Sequence, residues 1–252
     1  MALELRGVGV TIGRARLIQD VGLALKPGLL TVILGANGAG KSTTLGVLAG
    51  DLRATSGEAL MDGQPLATLS PRQLAMRRAV VLQHAPMNFS LCVHEVVALS
   101  RPPGAALERS CDEIEERALR DLGLIPLAGR DYSTLSGGER QRVQIARALA
   151  QLWHNAAPDT PGYMLMDEPT AHLDLKQQIV ALEVAQRFAE AGGAALCILH
   201  DIGLAREFAD EVILMKGGRI AAQGAADGLL TASVIADIYD IPDQRARRFA
   251  VL

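Results

Sequence analysis

The sequence predicts an α/β fold: a largely parallel sheet covered by helices, with a helical stretch inserted between its strands. Three observations predict it. Short apolar runs of strand type alternate with segments whose apolar residues recur at helical spacing. The texture turns wholly helical from about His84 to Gln151. A glycine-rich turn, "GANGAGKSTT", joins a buried run to a helix near the start of the chain.

The elements follow in order. "LELRGVGVTI" and "VGLAL" have strand patterns punctuated by Gly and Pro, and the start of the chain reads as a strand rather than a signal peptide. "LLTVIL" is a continuous apolar run, as expected of a strand covered on both faces. A helix is expected from Lys41 to about Gly50. "EALMDGQPL" reads as strand and turn, and "SPRQLAMRR" as a helix with a Ser cap and Pro at its first position. "AVVLQ" is another buried strand. "VHEVVALS", "CDEIEERALRDLGL" and "GGERQRVQIARALAQLW" are helical by spacing. Strands return at "YMLMDE", "AALCILH" and "EVILMKGGRI", with helices at "LDLKQQIVALEVAQRFAEA" and "IGLAREFAD" between them. "MKGGRIAAQG" reads as a hairpin through Gly-Gly. The loop at 154–162 is rich in turn formers, and the tail "DQRARRFAVL", with its small basic cluster, reads as a solvated end.

Composition narrows the function. With 252 residues, 49% of them hydrophobic, the chain can bury a sizeable core. A net charge of −3 gives no overall basic field, and with 3% aromatic residues a platform for stacking single strands is unexpected. No nucleic-acid partner is therefore expected. Cys92, Cys111 and Cys197 show no metal-ligand spacing, and an odd cysteine count without a secretion signal fits a reducing compartment. No apolar run approaches the ~18 residues that span a bilayer, so a membrane would be served from the side. His84, His94 and His154 read as structural.

The opening turn fits G-x-x-x-x-G-K-[ST] from Gly35 to Ser42. Phosphate oxygens need several backbone N–H groups at once, so the chain must curl tightly through Gly35, Asn37, Gly38, Ala39 and Gly40. The following helix then points its positive end at the phosphates. Lys41 is expected on the β- and γ-phosphates, Ser42 on Mg²⁺, and Thr43 on the α- and β-phosphates. A second element, "YMLMDEP", ends a buried strand in two carboxylates. Asp167 is placed to hold Mg²⁺, and Glu168 to polarise an attacking water. The third, "LSGGERQRVQIARALA", opens a helix at Ser136, Gly137 and Gly138 with bare amides, a second anion site. One chain has little use for two such sites, so a two-fold dimer is expected in which one copy completes the other's site.

From end to end the chain resembles an ABC-transporter ATPase subunit. The matching motifs are "GANGAGKST", Gln83 in "VVLQH", "LSGGERQR", "LMDEP", "AHLD" and His200 in "ILHD". The resemblance implies a P-loop NTPase (RecA-like) core with an antiparallel β-subdomain (1–83 and 158–252) and an inserted helical subdomain (84–157). It implies ATP and Mg²⁺ as cofactors and a head-to-tail homodimer with two nucleotides between the copies. It implies that Gln83 reaches Mg²⁺ and the attacking water. Ser136, Gly137 and Gly138 are implied to contact the partner's γ-phosphate, Asp174 to link the two sites, and His200 to hold the γ-phosphate. It also implies permease subunits docked near residues 84–95, where Met87, Phe89 and Leu91 suggest an apolar groove, and a periplasmic binding protein engaged indirectly. The expected place is the cytoplasmic face of the bacterial inner membrane. Within the family, "RRAVVLQH", "VHEVVALSR" and the long loop before "YMLMDEP" are similar to ATPases of haem (hemin) importers, with ferric siderophore and cobalamin importers as alternatives. Soluble relatives of DNA repair or translation are a rival class, disfavoured by the single cassette and the absence of an extended heptad run. The chain departs from the pattern at Ile12, where an aromatic usually stacks on adenine and Arg14 or Arg16 could stand in, and at His172, where a small residue is usual.

Overall fold

The computed structural model describes residues 2–83, 90–102, 109–157 and 160–250, without the side chains of 109–111. Two sheets and a helical segment make up the chain. Strands β1 (Leu3–Ile12), β2 (Ala15–Leu25), β4 (Ser56–Met61) and β5 (Gln64–Pro65) form an antiparallel sheet in the order β2-β1-β4-β5. The second sheet holds β3 (Leu30–Gly35), β6 (Arg78–Val81), β7 (Tyr163–Asp167), β8 (Ala194–Ile198), β9 (Glu211–Lys216) and β10 (Arg219–Gly224). Its order is β10-β9-β3-β8-β7-β6, parallel except for β10, which closes the Gly217–Gly218 hairpin on β9.

The apolar run of β3 is continuous because both faces are covered. Leu30, Val32 and Leu34 face one core, and Ile33 faces the other. On the second side α1 (Lys41–Ala49) lies between the two sheets, with Leu45, Val47 and Leu48 buried in the same cluster as Leu3, Val8 and Val21 of the small sheet. On the first side pack α5 (Gly137–His154) and α6 (Leu175–Glu190). Before β6 comes α2 (Pro71–Arg77), started by Ser70, which accepts the Gln73 N–H while the Gln73 side chain accepts the Ser70 N–H. Between β6 and β7 the regular elements among the described residues are all helical: α3 (Val93–Ala98), α4 (Arg109–Asp121), short 3₁₀ turns and α5. His154 is buried there beside Glu115, which also pairs with Arg101. After β8 comes α7 (Ile202–Phe208).

The carboxyl-terminal stretch departs from the sequence reading. Three helices close the chain: α8 (Ala226–Leu229), α9 (Ala232–Tyr239) and α10 (Asp243–Ala250). The tail is ordered as a helix, though its arginines are exposed as expected of a solvated end. Its arginines lie in an amphipathic helix whose Ala246 is buried against Ile235 and Ala236, and Arg206 of α7 donates to the Ala250 carbonyl at 2.9 Å. The charge run hid the apolar positions 246 and 250, four apart on one face.

One polar contact ties the sheets together. Asp62, in the turn after β4, accepts from the Tyr163 hydroxyl of β7 at 2.8 Å and from Arg77 of α2 at 2.6 Å. Burial, reinforced by this carboxylate, pushes the Tyr163 phenol up. Tyr163→Phe would leave the ring's packing intact but remove one donor to a charged, half-buried acceptor. It should lower unfolding free energy by about 1–2 kcal/mol, read as a reduced urea midpoint at unchanged slope.

Candidate active site

Parallel pairing places the ends of β3, β8, β7 and β6 side by side, and the side chains singled out in the sequence emerge there. The chain leaves β3 at Gly35, curls, and enters α1 through Gly40, whose φ of 98° is left-handed. A Cβ at Gly40 would lie 2.6 Å from Ile18 Cγ2 and 3.0 Å from the Leu17 carbonyl, so the curl is pressed against the small sheet and glycine is required. Lys41 folds back over the loop, its ammonium donating to the carbonyls of Gly35 at 2.8 Å and Ala36 at 3.1 Å. Desolvation holds its pKa below the usual lysine value, against the opposing pull of Glu168 and Asp167. A cavity of about 450 Å³ opens here, lined by Asn37, Gly38, Lys41, Ser42 and Thr43 of the loop and by Arg16 and Glu168.

Asp167 ends β7, and its Oδ1 lies 3.4 Å from the Ser42 hydroxyl. Burial raises its carboxyl above the ordinary range, helped by the neighbouring Glu168 charge and opposed by the Ser42 hydrogen bond. A hydroxyl and a carboxylate at the edge of an open cavity make a hard oxygen donor set of the kind that suits Mg²⁺. Glu168 takes a φ of 50°, uncommon for a residue with a side chain, and so turns away from its neighbour. Its carboxylate accepts from Gln83 Nε2, just beyond β6, at 2.7 Å. His200 Nε2, just beyond β8, lies 2.6 Å from the other oxygen; a carboxylate accepts only, so that nitrogen carries the hydrogen. Three residues from three loops thus meet on one carboxyl group, where a water could be held and deprotonated.

Ser136 caps α5. Its hydroxyl accepts the Glu139 N–H at 3.2 Å, and Glu139 accepts the Ser136 N–H at 2.7 Å, which holds the Glu139 carboxyl below its ordinary range. Ser136, Gly137 and Gly138 do not line the phosphate-loop cavity of their own chain. Gly137 and Gly138 face the turn at 170–174 instead. A Cβ on Gly138 would lie 2.9 Å from the His172 carbonyl and 3.1 Å from Leu173. His172 itself has a φ of 63°, and Asp174 caps α6 by accepting the Gln177 N–H at 2.8 Å.

Other expectations fare differently. Ile12 is 59% exposed, and it is Arg16, not Ile12 or Arg14, that lines the cavity. Leu91 is half-buried and packs on the main core, so it does not stand open as a groove residue; its apolar neighbours in sequence had suggested otherwise. Met87, Phe89 and His84 lie outside the described residues. The long loop before β7 borders a cavity of about 630 Å³ with Gly162, Gly193 and Pro27, at the opposite, amino-terminal ends of the strands. The sequence reading also missed a cluster. Cys92, His94 and Glu95 bring their ligand atoms within 4.8 Å of one another, although cysteine spacing alone gave no such sign. The C-x-H-E order at a helix start was the signal.

The close approach of α5 to the turn predicts a contrast between adjacent glycines. Gly138→Ala should destabilise the chain by about 1–3 kcal/mol through overpacking. Gly137→Ala, whose methyl would meet His172 Cβ only at 3.8 Å, should change stability by less than about 0.5 kcal/mol. Urea unfolding of both variants checks this.

Residues 18–171 match the ABC transporter family. The hemin import ATP-binding protein HmuV of Rhodopseudomonas palustris (strain CGA009) is 45% identical over 95% of this chain and 88% of its own length. The protein of the same name from Myxococcus xanthus is 43% identical over 96% and 91%. Among solved structures, an ATP-binding subunit of an ABC transporter superposes with a TM-score of 0.78 at 23% identity, over 91% of this chain and 92% of that one. A metal-chelate type ABC transporter in an inward-facing conformation gives 0.77 at 25% identity, over 96% and 89%. With its phosphate loop, paired carboxylates and capped second glycine pair in the places described, the chain belongs to the ABC transporter family.

Proposed function

We propose that this chain is the ATP-hydrolysing subunit of a bacterial ABC importer, a peripheral protein on the cytoplasmic face of the inner membrane that energises haem (hemin) uptake through separate permease subunits. The observation that carries the reading is the convergence of Lys41, Ser42, Asp167, Glu168, Gln83 and His200 at the ends of four neighbouring strands. In this reading the loop amides from Gly35 to Gly40, with Lys41 and Thr43, hold the triphosphate. Ser42, Asp167 and Gln83 hold Mg²⁺, which supplies charge neutralisation at the phosphates. Glu168 takes a proton from the attacking water. His200 and Gln83 orient that carboxylate and sense the terminal phosphate. The division into a core at 1–83 and 158–252 and a helical subdomain at 84–157 belongs to the same proposal. So does the homodimer, in which Ser136, Gly137 and Gly138 of one copy face the other's nucleotide and Asp174 bridges the two sites. No helix among the described residues is long and apolar enough to cross a membrane, which is consistent with separate permease subunits.

The relatives named for hemin import favour haem as cargo. The likeness to a metal-chelate type transporter keeps a second reading, ferric siderophore or cobalamin, in view. Reconstitution with candidate permease and binding proteins separates them: haem should stimulate ATP turnover, and stimulation by a siderophore or cobalamin alone would reassign the cargo. Glu168→Gln should lower turnover by about 100-fold or more while ATP is still bound; brisk hydrolysis would place the base elsewhere. Lys41→Ala should weaken nucleotide binding, and mixing it with Ser136→Ala should restore part of the activity neither shows alone. No recovery in the mixture would argue against shared sites.

A further inference from the structure

A cluster of ligand-type side chains at the start of α3 takes no part in the nucleotide site, although it falls in the 84–95 stretch where permease subunits are expected. Its backbone is held firmly. The Val93 N–H donates to the Arg130 carbonyl at 3.0 Å, the His94 N–H to Ala128 at 3.0 Å, and the Tyr132 N–H to Leu91 at 2.9 Å. On this platform Cys92 Sγ lies 2.8 Å from Glu95 Oε2, 3.3 Å from His94 Nδ1 and 4.0 Å from His94 Nε2. Around a tetrahedral zinc-type ion, with sulfur at ~2.3 Å and nitrogen at ~2.0 Å, those two ligand atoms sit about 3.6 Å apart. The Sγ–Nε2 separation of 4.0 Å exceeds that value by about 0.4 Å, which a small side-chain rotation closes without a change in backbone.

A second observation lies outside the trio. His94 Nδ1 is 3.1 Å from the Ala128 carbonyl oxygen. A carbonyl only accepts, so Nδ1 carries the hydrogen and the lone pair is on Nε2. An imidazole whose second nitrogen is held by a backbone carbonyl is the usual arrangement around a bound metal. Helix capping accounts for only part of the cluster. Glu95 Oε2 accepts both the Cys92 N–H and the Cys92 S–H at 2.8 Å, which occupies that oxygen and leaves Oε1 for a ligand bond. Capping asks for neither a thiol nor an imidazole at this point.

We propose that Cys92, His94 and Glu95 form a binding site for one borderline-soft divalent cation of the zinc type, with three protein ligands and a fourth position open to water. The half-buried thiol and the exposed His94 and Glu95 leave that position accessible. On binding, the ion takes the place of the thiol proton, which passes to solvent. Sulfur and imidazole are poor ligands for Mg²⁺, so the site is distinct in chemistry from the nucleotide's metal.

The test uses the full chain, reduced and metal-free, in a Cys111→Ser background; Cys197 is fully buried in β8. Titration with Co²⁺ should give a thiolate-to-cobalt charge-transfer band that saturates at one ion per chain. Zn²⁺ should displace the Co²⁺. Cys92→Ser keeps a good helix cap and should abolish the band. His94→Ala should weaken binding by about 10-fold or more, since even outer-shell changes commonly cost that much. Circular dichroism melting confirms that both variants are folded. No band in the parent chain, an equal titration by the Cys92→Ser chain, or a band lost with Cys111 rather than with Cys92 would each overturn the proposal.

Discussion

Parallel pairing of β3, β8, β7 and β6 is the constraint on which everything else depends. It brings four strand ends out on one edge, and together they contribute Lys41, Ser42, Gln83, Asp167, Glu168 and His200. The continuous apolar character of these strands is the cost of that arrangement, because both faces must be covered. Helices α1, α5 and α6 and the small sheet supply the cover. The hydrogen bonds from Gln83 and His200 to Glu168 are possible only because β6 and β8 flank β7 in the sheet.

The polar groups at that edge are held by one another and by the loop backbone. Lys41 is turned inward onto carbonyls of its own loop. Asp167 is lifted toward protonation by burial and by the adjacent carboxylate. Both carboxylate oxygens of Glu168 have partners, Gln83 on one and His200 on the other. The chain thus pairs these groups with one another, and hydrogen bonds to a charged carboxylate are among the stronger ones.

Much of this was legible in the sequence, and the reasons are specific. The phosphate loop could be read because a tight turn before a helix needs glycine at set places, and the φ of Gly40 shows that need directly. The Ser cap at Ser70 could be read because Pro follows it at the first helical position, whereas the capping box that Ser136 forms with Glu139 was passed over for its bare amides. Long-range facts could not. Nothing local says that Asp62 will receive Tyr163, or that Arg16 rather than Ile12 will border the cavity. The last helix was masked by its arginines, and Leu91 by its neighbours, since exposure depends on what packs from elsewhere in the chain.

The contact between Gly138 and the His172 carbonyl has a mechanical consequence. With no room for even a methyl group between them, the head of α5 and the 170–174 turn behave as one solid piece. That piece is joined to the backbone of Glu168, because the Ala171 N–H donates to the Glu168 carbonyl at 3.1 Å. The path from α5 to Glu168, whose carboxylate receives Gln83 and His200, thus spans a single turn of chain. A displacement of α5 would reach that backbone through a short, stiff linkage.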